Sequence, residues 1–130
     1  MTASYSVDVD PARDLVRIRA GGFLSAADLA GAHARRAEAH RRLRCGPNGH
    51  VTLVDLRDLS IQSQEVVAAF GRLLHDPAWI SRRLALVTGS ALMRLQLLRA
   101  VADRPDVRVF DAVDEAEAWL FDAPARERAA

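Results

Sequence analysis

The sequence predicts a single α/β domain built on one layer of mixed five-stranded sheet with four helices. In the first part of the chain apolar and polar side chains alternate as in a half-buried hairpin, and afterwards strand-like and helical segments alternate. The 130 residues, 50% of them hydrophobic, suffice for one core and are too few for several domains. The predicted order is ββαβαβαβα, with the core over 5–122 and a polar tail over 124–130.

The opening hairpin has one register that satisfies both hydrophobicity and charge. A four-residue turn over 11–14 places Val7 opposite Ile18 and Asp8 opposite Arg17. The apolar pairs then share the face that meets the core, and the charged pair lies on the solvent side.

The first helix and the strand after it have distinct local signals. Ser25 and Asp28 resemble a capping box that opens a helix of about 18 residues, ending at Leu43 or Arg44. The apolar run over 51–56 (VTLVDL) is typical of a central strand that is covered on both faces.

The second half repeats the alternation. Ser63 is the predicted N-cap of a helix that stops near residues 76–77, and a strand over 84–88 follows. A helix over 91–102 and a strand over 107–110 come next. Asp114 is the predicted cap of a last short helix, which Pro124 closes. Three side chains of that helix are expected to face inward: Ala116, Trp119 and Leu120.

Composition narrows the classes of function. The formal net charge of +1 indicates neither a nucleic-acid partner nor a membrane surface. The single cysteine, Cys45, excludes an intramolecular disulfide and a thiolate zinc site. No segment has the length of a signal-peptide core or a membrane span. We therefore expect a soluble, cytoplasmic protein without a metal or cofactor.

The element order and three strings resemble the SpoIIAA-like branch of the STAS domains, the anti-sigma-factor antagonist fold. The strings are 51–60 (VTLVDLRDLS), 85–89 (ALVTG) and 109–120 (VFDAVDEAEAWL). In antagonist members a serine at the start of the helix after the central strand is phosphorylated within an Asp-Ser-Ser-Gly motif. Ser63 has the corresponding place, but the motif around it is absent, and we expect a plain N-cap.

Polar side chains follow two neighbouring strands, where ligands of parallel sheets tend to bind. These residues could converge on a partner or a small ligand, and the turn before the third helix could hold an anion or only cap the helix. The candidate binding residues are Asp55, Asp58, Ser60, Gln62, Ser63, Thr88 and Ser90, with Arg57 beside them.

The histidines and arginines of the first helix give weaker signals. His33 and His40 lie on one inward stripe, about 10 Å apart, too far to ligate one metal. They are expected to pack or to hydrogen-bond at the rim of the core. A run of arginines in the same helix is typical of a solvated face, and His50 and His75 have no partner that the sequence reveals. The arginines in question are Arg35, Arg36, Arg41, Arg42 and Arg44.

The third helix has an apolar arc wider than a sheet alone covers. A neighbouring helix, a second subunit or an apolar ligand could cover the excess. We predict a homodimer, with Met93 and Leu97 as contact residues and Arg94 at the rim.

No catalytic constellation is visible. The resemblance implies a non-enzymatic bacterial regulatory module that acts through protein contacts. The alternative is a carrier or sensor of a small apolar or anionic ligand. A deep apolar pocket would favour the ligand, and a shallow surface with a symmetric contact would favour a protein partner.

Overall fold

A computed structural model describes residues 3–46, 48–60, 62–77 and 80–122. Within this part of the chain, five strands form one sheet in the order β1-β2-β3-β4-β5. The first pair is antiparallel and the others are parallel. The predicted fold class and element order are confirmed, and the predicted tail over 124–130 lies outside the described residues. The elements are β1 (Ser4–Asp10), β2 (Leu15–Gly22), α1 (Ala26–His40), β3 (Val51–Leu59), α2 (Gln64–Leu74), β4 (Arg83–Val87), α3 (Ala91–Ala100), β5 (Val107–Phe110) and α4 (Val113–Leu120).

The hairpin of β1 and β2 has the predicted register. Val7 lies opposite Ile18 and Asp8 lies opposite Arg17. Val7 is only half-buried, because β1 is an edge strand with a neighbour on one side. The turn ends at Asp14, whose φ of 48° is left-handed.

The helices divide between the two faces of the sheet. Helices α1, α2 and α3 cover one face and form the larger core cluster, whereas α4 covers the other face. Strand β3 is therefore buried from both sides, as its continuous apolar run predicts. On β3, alternate residues such as Val54 and Leu53 belong to the larger and the smaller cluster, respectively.

Three helix ends differ from the sequence-based prediction, and the smallest difference is that α3 ends at Ala100 and not at residue 102. The predicted capping box of Ser25 and Asp28 opens α1, but α1 ends at His40. The reason lies in the hairpin turn, where Asp14 Oδ1 accepts hydrogen bonds from the backbone N–H groups of Arg44 (2.8 Å) and Cys45 (3.1 Å). These bonds draw the chain away from the helical path.

Helix α4 begins earlier than predicted. Ala112 is its N-cap residue and makes no side-chain cap hydrogen bond. Asp114, the predicted cap, lies in the first turn, where its carboxylate still interacts favourably with the helix dipole. Ala116 and Leu120 are fully buried against the sheet, and the Trp119 ring packs 5.6 Å from the Phe110 ring.

The predicted dimer contacts of α3 are wrong. Met93 and Leu97 are each only 3% exposed, because this side of α3 packs against the sheet within the larger core cluster. Neither side chain can reach a second subunit. The exposed apolar residues of α3 are instead Leu92, Leu95 and Leu98.

Candidate functional site

The carboxylates that follow β3 are engaged in ion pairs. Asp55 is buried and accepts two hydrogen bonds from the Arg57 guanidinium, at 2.9 Å from Nε and 2.8 Å from Nη2. These bonds hold the pKa of Asp55 below its usual range. Asp58 accepts a hydrogen bond of 2.8 Å from Arg19. Both carboxylates therefore already have a guanidinium partner.

Gln62 connects the two loops that follow β2 and β3. Its Oε1 accepts a hydrogen bond of 2.8 Å from the Leu24 N–H, and its Nε2 donates to the carbonyls of Gly22 (3.0 Å) and Ser60. The Ser60 N–H also donates to the Gly22 carbonyl at 3.0 Å. Gly22 has a φ of 77°, a conformation that favours glycine. The side chain of Gln62 thus fixes the loops to each other.

The hydroxyl groups among the candidate residues serve the local backbone. Ser63 Oγ accepts from the Val66 N–H at 3.2 Å, which confirms Ser63 as the N-cap of α2. Ser90 Oγ accepts from the Met93 N–H in the same way at the start of α3. Thr88 Oγ1 accepts from the Ser90 N–H at 3.2 Å.

Only part of the predicted set of binding residues lies together at the edge of the sheet, and we call that part the edge surface. A shallow depression at the ends of β2 and β3 includes Asp58 and Ser60, together with Arg57. The other candidates, namely Asp55, Gln62, Ser63, Thr88 and Ser90, do not line it. A binding role for this set stays a prediction.

A second candidate site is a partly open cavity of about 90 Å³ between the sheet and helices α1, α2 and α3. Its walls are almost entirely apolar. Strands β2, β3 and β4 contribute side chains such as Ile18, Val54 and Leu84, and the helices contribute others such as Leu29 and Phe70. Its apolar lining is the feature that favours a ligand-binding function, and its volume suits only a ligand much smaller than a drug-sized molecule.

Several polar side chains line the cavity, and they include Asp28 and the predicted site residue Gln62. Thr52 is 0% exposed, and its Oγ1 has no hydrogen-bond partner. Gln96 Oε1 is also buried without a partner, and His33 lines the wall, consistent with its predicted inward position. A buried hydroxyl without a partner costs free energy unless a water or a ligand satisfies it.

Arg36 is also in the cavity wall, contrary to the predicted solvated face. It is 6% exposed, and burial lowers its pKa to about 10, an effect that nearby Asp76 opposes. Arg35, the other arginine of α1, does lie at the surface and stacks on the Tyr5 ring at 4.8 Å. The arginines that follow the helix are exposed as well, namely Arg41, Arg42 and Arg44. Arg36 differs from its neighbours because its position on α1 faces the sheet.

The remaining titratable candidates have structural partners. The rings of His40 and His50 pack edge to face at 4.4 Å, and His75 Nε2 lies 2.8 Å from Asp103 Oδ1. Burial raises the pKa of the Cys45 thiol, with a further contribution from Asp14, so this cysteine is not activated as a nucleophile.

Sequence reasoning missed the cavity, although two residues signalled it. Thr52 places a hydroxyl within an otherwise apolar strand, and Arg36 shares its helix face with Leu29. Which spaces remain open between packed helices depends on their distance from the sheet, and a one-dimensional pattern does not contain that distance.

None of the described helices has the length and hydropathy that crossing a membrane requires. The sequence matches no protein-family profile and no curated protein. Eight chains of solved structures match this chain, and they include the following two, each of which covers 92% of it.

The first is an uncharacterized protein of the DUF3478 family with a SpoIIAA-like fold, from Shewanella loihica PV-4. Its TM-score is 0.70 at 16% sequence identity, over 92% of this chain and 96% of that one. The second is an anti-sigma factor antagonist from Mycobacterium paratuberculosis. Its TM-score is 0.61 at 9% identity, over 92% and 96% of the two chains. At these identities the likeness concerns architecture, and by that measure the chain has a SpoIIAA-like fold.

Proposed function

We propose that this chain is a non-enzymatic bacterial module that binds a small, largely apolar ligand in its interior cavity. The observation that supports this is the apolar cavity of about 90 Å³ with the partnerless Thr52 hydroxyl at its wall. An empty space of that size costs about 2 kcal/mol of stability at the usual cost per unit of cavity volume. A ligand that fills the space recovers contacts that the folded chain lacks.

Filling the cavity with a side chain tests this function. In Ala32→Leu the added atoms enter the cavity from α1, whereas in Ala34→Leu they enter solvent from the same helix. Xenon, which enters dry apolar cavities, is the probe. We expect xenon under pressure to shift the NMR signals of cavity residues in the wild type and in Ala34→Leu, but not in folded Ala32→Leu. Absence of any shift in the wild type would contradict the function.

The second candidate function is the binding of a protein partner, in which case the chain would be a regulatory module of the cytoplasm. One structural neighbour is an anti-sigma factor antagonist, and the exposed Asp58 and the half-buried Ser60 lie at one edge of the sheet. In this function the edge surface would contact the partner. Affinity purification from the native host with the wild type and with Ser60→Arg tests it, and a partner that both retain equally would exclude this surface.

Self-association is one form of this protein-binding function, with a second copy of the chain as the partner. With Met93 and Leu97 buried, a homodimer would have to use Leu92, Leu95 and Leu98. Exposed apolar side chains clustered on one helix are a common feature of subunit contacts.

A further inference from the structure

Gln62 and Asp28 line the cavity, but the protein itself already engages their polar atoms. Gln62 uses both ends of its amide, because Oε1 accepts from the Leu24 N–H and Nε2 donates to the Gly22 carbonyl. The Asp28 carboxylate accepts hydrogen bonds from the Ser25 N–H (2.8 Å) and the Ser25 hydroxyl (2.9 Å) in the capping box of α1. Neither side chain requires a ligand.

The basic side chains of the wall are engaged as well. His33 and Arg36 both have interactions within the chain. A charged ligand would have to displace one of the existing partners of the wall, because a buried charge without a partner is costly. The cavity therefore favours an uncharged molecule.

Among the described residues, two in the cavity wall have a buried oxygen atom without a hydrogen-bond partner, namely Thr52 Oγ1 and Gln96 Oε1. Thr52 lies on the central strand and is 0% exposed, so its short side chain cannot turn towards solvent. Gln96 is only half-buried, and its longer side chain has more freedom to do so. The hydroxyl of Thr52 is therefore the group that most needs a partner inside the cavity.

The chemistry of these two oxygens selects one kind of functional group. The Thr52 hydroxyl donates and accepts, whereas Gln96 Oε1 only accepts. A hydroxyl on the ligand can pair with either oxygen, a carbonyl can only accept from Thr52, and a hydrocarbon can pair with neither. Water could also pair with them, but a buried water typically needs two to four polar partners, and the rest of the wall is largely apolar.

The size of the cavity limits the rest of the ligand. Its volume of about 90 Å³ is smaller than the roughly 150 Å³ of a cavity that accepts benzene. By the same proportion a ligand has room for only about four non-hydrogen atoms. Most of these atoms must be carbon, because side chains such as Val54 and Leu84 surround them.

We propose that the cavity binds a small uncharged alcohol, whose hydroxyl forms a hydrogen bond with Thr52 Oγ1 and whose alkyl group packs against the apolar wall. This inference rests on the proposed ligand-binding function and adds the charge, the size and the functional group of the ligand.

The probes that test it are 2-propanol and isobutane, because they share a shape and differ in one hydroxyl. NMR titrations of the wild type and of Thr52→Val, which removes the protein hydroxyl, give the affinity for each probe. We expect saturable binding of both to the wild type. In Thr52→Val the affinity for 2-propanol should fall about three- to tenfold, the usual effect of a hydrogen bond between neutral groups, and that for isobutane should not fall.

Matched controls accompany this measurement. Thr52→Ser keeps the hydroxyl and should still favour 2-propanol as the wild type does. Ser81→Ala removes a buried hydroxyl that donates to the Arg83 carbonyl outside the cavity lining, and it should leave both affinities unchanged. Two further probes of similar size, acetone and isopropylammonium, should bind more weakly than 2-propanol, because acetone cannot donate a hydrogen bond and isopropylammonium has a charge.

Each outcome has a distinct meaning. If isobutane and xenon enter the wild-type cavity but the loss of 2-propanol affinity is absent in folded Thr52→Val, the alcohol is wrong and the apolar cavity function stands. Acetone binding as tightly as 2-propanol would overturn the alcohol in favour of a carbonyl compound. If none of the probes enters, only water occupies the cavity, and both the inference and the ligand-binding function fail.

Discussion

His40 and His50 form a pair of imidazole rings that the fold keeps neutral. Burial lowers the pKa of each ring from 6.5 to about 4. At His40 the next contributions come from His50 and then Arg36, and at His50 the next comes from Arg36. Between about pH 4 and pH 6.5 the unfolded chain binds more protons than the folded chain. The pair therefore contributes stability above about pH 6.5 that is lost as the pH falls towards about 4.

We expect the free energy of unfolding to fall by about 1 to 2 kcal/mol from this pair on acidification, after allowing for screening by solvent. Urea denaturation between about pH 7 and pH 5 measures it, because ordinary carboxylates remain ionised there. His40→Leu should lose less stability over this range than the wild type. His75→Gln is the control, since the Gly71 carbonyl and Asp103 raise the pKa of His75 and give it the opposite effect. Equal pH dependence in His40→Leu and the wild type would contradict the buried pair.

Gly31 and Gly71 are helical glycines in opposite environments. A Cβ at Gly31 would overlap the Tyr5 hydroxyl oxygen, whereas a Cβ at Gly71 meets nothing within 4 Å. We expect Gly31→Ala to destabilise the fold by about 1 to 3 kcal/mol through overpacking, and Gly71→Ala to stabilise it by about 0.5 to 1 kcal/mol through helix propensity. Urea denaturation of both variants measures the difference. The same sign of change in both would show that β1 does not pack against α1 through Tyr5.

At the carboxyl edge of the sheet, Gln62 joins the loop that follows β2 to the loop that follows β3. Replacing it with leucine leaves the Leu24 N–H and the Gly22 carbonyl without their side-chain partner. We expect Gln62→Leu to destabilise by about 2 to 3 kcal/mol. Ser63→Ala, which removes only a helix cap, should cost about 1 kcal/mol. Thermal and urea denaturation compare the two, and a smaller loss for Gln62→Leu would mean that the loops are held by other contacts.

The starts of elements were more predictable than their ends. Caps such as Ser25 and Ser63 act on backbone groups within three residues, so a short sequence window contains both partners. The end of α1 depends instead on Asp14, which is 30 positions away from Arg44. The partners of Gln62 are similarly remote, and its role as a connector of loops was not predictable.

At the scale of the whole molecule, α3 presents an apolar face to solvent after the core is complete. Leu95 is 55% exposed, and Leu92 and Leu98 lie beside it. We expect the wild type to be a dimer at tens of micromolar by light scattering, and Leu95→Glu to be a folded monomer. Ala30→Glu, a matched change at an exposed position of α1, should remain dimeric. A monomeric wild type would contradict self-association through this face.

The sequence by itself determined the fold class, the element order and the hairpin register, because these follow from periodicity, turns and caps that act over a few residues. The pairing of Asp8 with Arg17 and the burial of β3 are examples. Only the tertiary structure decided which side of α3 is buried, that Arg36 is interior, and that a cavity remains above Thr52. Those outcomes depend on how far the helices stand from the sheet and on which face they cover, and close packing sets both through contacts between distant parts of the chain.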